Sequence, residues 1–303
     1  MLHYSTNKKG VQIIQDATAP RIYLDYCVLR RFSDSHPGEG EQFLDILKKT
    51  GGTLYFSWML LIESYNQGTG RAYRRLLNFL KRIGPYWGFL DCEYIKVVEK
   101  EKQWSHRKQG PQVDETMLKE IFLQWIRHHN CLIKRLYPIL LWFRLLKFTP
   151  KSLFDELKRC PEDYVKYKEL AESTKTNMKS IIDNARKSVR NNTTARNNME
   201  KIVPLYTQGT PPTEYIYKQI HKLIILGNDN FEPNDGPDLM HSTVASAYSE
   251  FVVLDKKWAS RLKSIEVPDC AAKIYGINEL DQFLEDLAAY GPSHISTGFH
   301  ADR

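Results

Sequence analysis

Four acidic residues stand at positions where a carboxylate is placed for chemistry. Asp25 directly follows Ile22-Tyr23-Leu24, and Asp255 directly follows Phe251-Val252-Val253-Leu254. Each would sit at the C-terminal end of a short apolar strand, the edge at which open parallel sheets bind ligands. Glu63 ends the apolar run Trp58-Met59-Leu60-Leu61-Ile62, where a carboxylate is flanked by core and is costly to bury without a partner. Asp238 follows Pro237 and is expected to open a helix, whose N-terminus favours negative charge. Acids forced together in a partly dry site repel one another, and a divalent cation relieves the repulsion. Oxygen-only ligands suit Mg2+ or Mn2+ rather than zinc.

The elements that must position these residues follow from periodicity. Between residues 21 and 98 the chain reads as strand, helix, strand, helix, strand. The strands are placed at residues 22–25, 54–56 and 94–98, with a Gly-rich turn at 36–40. A short amphipathic helix carries Phe43, Leu44, Ile46 and Leu47 and stops at Gly51-Gly52. Ser57 is a good N-cap for the helix that reaches Glu63, and residues 71–82 form a basic amphipathic helix. Near the other end, a helix over 237–248 leads into the strand 251–254. A last strand over 272–277 is capped at Asn278 into the helix 279–287. Strands separated by helices indicate a central parallel sheet covered on both faces.

The stretch from 99 to 227 interrupts that alternation and reads as almost wholly helical, for example over 115–130, 137–148 and 152–159. Residues 164–203 carry nine Lys/Arg against four acids, with Met178, Ile181, Ile182, Ala185 and Val189 at helical spacing. That is a helix with a narrow buried stripe and a broad solvated face. The organisation is therefore a discontinuous core, residues 20–98 and 228–290, a helical insertion over 99–227, and a tail over 291–303.

Bulk properties narrow the class. A chain of 303 residues with 42% hydrophobic content is long enough to bury a large core. The net charge of +7 suits a polyanionic partner without requiring one. The first residues lack the apolar run of a secretory signal, and Arg144 and Lys147 interrupt the most lipophilic stretch, so no membrane partner is expected. Five scattered cysteines without a CxxC pair indicate neither a disulfide framework nor a thiolate zinc site, and a reduced cytoplasm is the expected compartment.

The strings IYLDYCVLRRF, LYFSWMLLIES and NDGPDLMHSTVASAYSEFVVLDKKW together resemble the PIN-like nuclease superfamily. Carried over position by position, the family's acidic site is Asp25, Glu63, Asp238 and Asp255. The resemblance implies a PIN-like three-layer α/β/α fold, here with a large helical insertion. It also implies hydrolysis of phosphodiester bonds, usually of RNA, by one or two Mg2+ or Mn2+ ions. Asp25 and Asp238 would be direct ligands, with Glu63 and Asp255 completing the site. Two departures stand out: Val253 occupies a position where many members have Ser or Thr, and the insertion far exceeds the family's usual connection. An inhibitory protein partner and an oligomer are both compatible with the resemblance.

Blander readings accompany these. Each acid alone reads equally well as a solvated strand end or a helix cap, and only the order of all four favours a nuclease. Asp235, in Asn-Asp-Gly-Pro, is read first as a turn residue and second as an auxiliary to the site. His241, one turn after Asp238, is placed to touch a phosphate or simply to bond to the chain. Arg71, Arg74 and Arg75, and Lys179, Arg186, Lys187 and Arg190, could track a phosphate backbone or form solvated faces. His128-His129 near Cys131 are read as surface histidines, since adjacent helix residues point to different faces. Trp125, Trp142 and Phe143 are read as packing within the insertion. The alternative to a nuclease is a PIN-like scaffold that binds nucleic acid or protein and does not cleave.

Overall fold

The computed structural model describes residues 2–7, 10–15, 17–66, 70–103, 149–159, 161–201, 206, 210–267 and 271–291. The expected helices 115–130 and 137–148, with His128, His129, Cys131, Trp125, Trp142 and Phe143, lie outside them.

The molecule is α/β, with five parallel strands at its centre. Ahead of them β1 (Leu2–Asn7) and β2 (Gly10–Gln15) pair antiparallel as a separate hairpin, which the sequence reading did not contain. The central strands are β3 (Arg21–Leu24), β4 (Thr53–Phe56), β5 (Trp87–Phe89), β6 (Phe251–Leu254) and β7 (Lys273–Gly276), in the spatial order β5-β4-β3-β6-β7. The chain starts in the middle, builds outward to one side, and then returns to build outward on the other. The order thus reverses between β3 and β6, and a crevice opens at the strands' C-terminal ends at such a reversal. Asp25 and Asp255 follow the two strands that flank it. At the opposite edge Arg21 and Glu250 lock the same strands, with the guanidinium on the carboxylate at 2.5 Å and the Glu250 N–H on the Arg21 carbonyl at 2.8 Å.

The helices are α1 (Tyr26–Arg30), which runs on into a π-helical turn (Arg31–Ser35), α2 (Pro37–Thr50), α3 (Trp58–Asn66), α4 (Arg71–Ile83) and α5 (Tyr94–Lys102). Then come α6 (Pro150–Arg159), α7 (Pro161–Asn191), α8 (Thr193–Lys201), α9 (Pro212–Leu226), α10 (Asp235–Tyr248), α11 (Lys256–Lys263) and α12 (Leu280–Ala288). Strand register fixes which face each covers. Ile22 pairs with Phe251 and Tyr23 with Val252, and successive strand residues face opposite sides. Phe251 meets Phe283 of α12 edge-on at 6.0 Å, whereas Tyr23 bonds to His241 of α10. So α12, packed with α2, covers one face, and α10, packed with α9, covers the other.

Several boundaries differ from expectation for identifiable reasons. Residues 94–98 are helical, not extended: the buried Val97 and Val98 belong to a helix running to Lys102. The third central strand is instead Trp87-Gly88-Phe89, buried throughout and too short to show alternation. Residues 37–40 open α2 rather than form a turn. Pro37 takes the first helical position, and Gly40 is there because a side chain would collide with the Phe32 backbone. The last strand and helix each lie within one residue of the expected bounds, but a 3-10 turn (Ile277–Glu279) stands between them in place of a cap at Asn278. Ser57 does cap α3, accepting from the Leu60 N–H at 3.3 Å.

The described helices of the insertion share one hydrophobic core with the sheet: Phe154, Met178, Ile182, Ile216 and Ile220 are buried in it. The Glu101 carboxylate of α5 accepts from the Tyr248 hydroxyl of α10 at 2.6 Å and from the Thr213 N–H of α9 at 3.2 Å. Tyr94 and Tyr217 stack with centroids 3.8 Å apart. Among the described residues no helix is long and apolar enough to cross a membrane.

Candidate active site

Asp25 ends β3 and begins α1. Its backbone N–H continues the ladder to the Val253 carbonyl at 2.9 Å, while Oδ1 accepts from the Tyr26 N–H at 2.7 Å and Oδ2 from the Cys27 thiol at 3.3 Å. The strand-end aspartate is therefore also a helix cap, and its side chain is held from two sides. It is only 9% exposed. Burial pushes its carboxyl above the usual carboxylate range, with His241 opposing and Asp238 adding to the rise.

Glu63 comes from α3, on the segment that follows β4. Burial pushes its carboxyl up to about 8, His241 pulls it back, and Asp25 and Asp238 push it further. Asp238 lies in the first turn of α10, and one turn on is His241, 1% exposed and fixed at both nitrogens. Its Nδ1 is 2.9 Å from the Tyr23 hydroxyl and its Nε2 is 3.2 Å from Asp238 Oδ1. Burial opposes a charge on this ring, yet Asp238, then Asp25 and Glu63, prevail and push it up to about 9. The imidazolium is thus the internal counter-charge of three carboxylates.

Asp255 stands at the flank. It caps α11, accepting from the Trp258 N–H at 2.9 Å, and its charge reaches the Cys27 thiol, which also donates to Asp25. Burial, Asp25 and Asp255 together hold that thiol protonated.

The structure therefore brings Asp25, Glu63, Asp238 and His241 into one electrostatic group beside the strand-order reversal, with Asp255 next to it. Asp235 does not join them. The helix opens at Asp235 rather than Asp238, and this residue is a buried ion-pair partner, not a turn residue. Lys257 Nζ grips its two oxygens at 2.7 and 2.6 Å, Arg261 lies at 3.5 Å, and the Glu232 N–H donates at 2.8 Å. Both lone-pair sets are committed.

The basic residues divide. Arg75 pairs with Asp34 at 2.5 Å, while Arg71 and Arg74 are exposed on α4. Lys179 donates to the Phe231 carbonyl at 3.3 Å and to Asp183 at 2.9 Å, and Arg186 donates to the Ile224 and Asp229 carbonyls at 2.7 and 2.5 Å. These two fasten α7 to the last turn of α9 and to the loop that leads into α10. Lys187 and Arg190 are exposed.

Three participants went unread in the sequence. Tyr23 faces α10 because it alternates with Ile22 and Leu24. Cys27 stands two residues past Asp25. Lys175 carries the clearest missed signal: it falls between Ala171 and Met178 on the stripe of α7 that continues to Ile182, all three apolar residues being buried. A lysine on the apolar stripe of an amphipathic helix is out of place on a solvated face. Its charge acts on Glu63.

The donor chemistry fits a hard divalent cation, being oxygen throughout, crowded and short of positive charge. Among the described residues, however, no three acid, histidine or cysteine side chains are already gathered as ligands of one ion. Asp238 is turned to His241, and Asp25 and Asp255 to their caps. Comparison with known proteins gives no match to a family model, to a curated protein or to a solved structure.

Proposed function

We propose that this chain is a metal-dependent nuclease of the PIN-like class, acting on RNA with Mg2+ or Mn2+. The observation that carries the reading is the convergence of Asp25, Glu63 and Asp238 on one buried imidazolium beside the strand-order reversal. When bound, the cation would lower the pKa of a water and stabilise charge on the scissile phosphate. The chain's own residues do the rest. Asp25 is oriented by the Tyr26 N–H and Cys27, and Asp238 by His241 and, behind it, Tyr23. Glu63, whose carboxyl burial pushes up to about 8, would release its proton to solvent on ligating a cation. Asp255 adds a fourth carboxylate at the flank.

The competing reading, a non-cleaving scaffold, has one observation in its favour: His241 and the two helix caps satisfy the acids without any ion. Incubating the protein with mixed RNA and single-stranded DNA pools, with Mn2+ or Mg2+ and with EDTA, separates the two. Cation-dependent cleavage that Asp25→Asn abolishes supports the nuclease. Intact pools under all conditions would leave the scaffold.

A further inference from the structure

We propose that Lys175, supplied by the insertion, is the cation of the acidic site and binds the phosphate that is cut; this rests on the nuclease reading. The placement comes from packing. Helix α7 lies across both helices that carry the inner carboxylates. Against α3 it sets Tyr167 on Trp58, ring centroids 6.0 Å apart. Against α10 it comes so close at Gly236 that a Cβ there would lie 3.0 Å from Met178 Cβ and 3.4 Å from the Thr174 carbonyl. Thr174 and Met178 flank Lys175 on the helix, and Gly236 precedes Asp238 by two residues. Lys175 therefore lies on the stripe that α7 turns toward the helices carrying Glu63 and Asp238.

Its chemistry suits a phosphate. The side chain is 23% exposed, so its stem is covered while its ammonium reaches the rim, where Glu172 meets it at 2.9 Å. Glu172 is itself 55% exposed, and an ion pair that open contributes little to stability. A lysine serving Glu172 alone could do so from the solvated face of α7. The site otherwise sets Asp25, Asp238 and Asp255 against one imidazolium, an excess that repels a polyanionic strand. Lys175 sets a positive charge at the entrance.

Lys175→Met keeps the covered stem and removes the charge, Lys175→Arg keeps the charge, and Glu172→Gln removes the surface partner. Cleavage of a fluorescent single-stranded RNA pool with Mn2+ is measured beside Mn2+ affinity without RNA and the melting temperature of each variant. Lys175→Met should lose about 100-fold in kcat/KM, the scale of one donor aimed at developing charge. Lys175→Arg should recover most of that loss, and Glu172→Gln should stay close to wild type. Mn2+ should bind Lys175→Met at least as tightly as wild type, because the ammonium opposes a second cation. An active wild type with equal kcat/KM in Lys175→Met overturns the assignment and leaves the nuclease reading standing. Weaker Mn2+ binding in that variant, or the same loss in Glu172→Gln, overturns it too. A wild type that binds no Mn2+ and cuts neither RNA nor single-stranded DNA removes both readings together.

Discussion

Asp25 and Asp238 carry the same charge, yet the molecule answers differently to its removal. Asparagine at 25 keeps the oxygen that receives the Tyr26 N–H and relieves a crowded, buried anion. Asp25→Asn should therefore melt at or above the wild-type temperature in EDTA while losing cleavage. Asp238 is the hydrogen-bonded counter-ion of a buried ring, so Asp238→Asn should cost about 1–2 kcal/mol as well as activity. Equal melting temperatures for the two variants would contradict this distinction. The same groups set a pH dependence. Glu63 at about 8 and His241 at about 9 both lie above their usual values of 4.5 and 6.5, so the folded form holds their protons more tightly. Stability from Glu63 is complete below 4.5 and lost as pH rises to about 8; that from His241 is complete below 6.5 and lost by about 9. Thermal melts in EDTA should fall steadily from pH 5 to 9, and Mn2+ should flatten the slope by taking the place of the protons. A level or rising profile in EDTA would show that the acids are not coupled in this way. The four acids were legible because strand ends and an acid in an apolar run are local patterns. The bond from Asp238 to His241, and on to Tyr23, depends on two elements meeting, which spacing alone does not reveal.

At the scale of elements, the approach of α7 to α10 decides how well the site is built. Gly236→Ala places a methyl against Met178 and should destabilise by about 1–3 kcal/mol, the usual cost of overpacking. Adding Met178→Ala should restore part of that loss, a coupling that urea unfolding of the two single variants and the double variant would measure. Strict additivity would mean the helices part without cost. The basic face of α7 divides in the same manner. Reversal of Lys179 and Arg186 to Glu should lower stability, because the Phe231, Ile224 and Asp229 carbonyls lose their donors. Reversal of Lys187 and Arg190 should leave stability within about 0.5 kcal/mol, yet weaken binding to labelled single-stranded RNA and reduce its salt slope. Anisotropy titrations across a KCl series would check this, and an unchanged slope would mark that face as merely solvated. The sequence predicted one helix over 164–203, which breaks at Asn192 into α7 and α8, and most of its buried stripe, though Ile181 is 52% exposed. It could not separate the committed cations from the free ones, since their partners are carbonyls some 40 to 50 positions away. Nor did it find β5, whose three buried residues carry no period.

For the whole molecule, the described part of the insertion is structure rather than appendage. The sequence marked residues 99–227 as a departure from strand–helix alternation. Whether such a stretch docks or stands apart depends on faces that meet only in three dimensions. Here Met178, Ile182, Ile216 and Ile220 join the core of the sheet, and Glu101 ties α5 to α9 and α10. Replacing residues 149–226 by a flexible linker should leave no cooperative unfolding transition and a chain that binds hydrophobic dyes. A sharp two-state melt of the shortened chain would show the core to be self-sufficient.

The strand order has a consequence for how such a chain is made. β3 is the first central strand to leave the ribosome, but its neighbour β6 is locked to it through Arg21 and Glu250, 229 positions apart. Contacts so distant in the chain form late. Until β6 emerges, Asp25 has no Asp255 beside it, and Asp238 and His241 have only just been translated. On the proposed nuclease reading, the chain is synthesised while tethered to the class of molecule it would cut. This topology keeps Asp25 apart from Asp238 and Asp255 until β6 has been made.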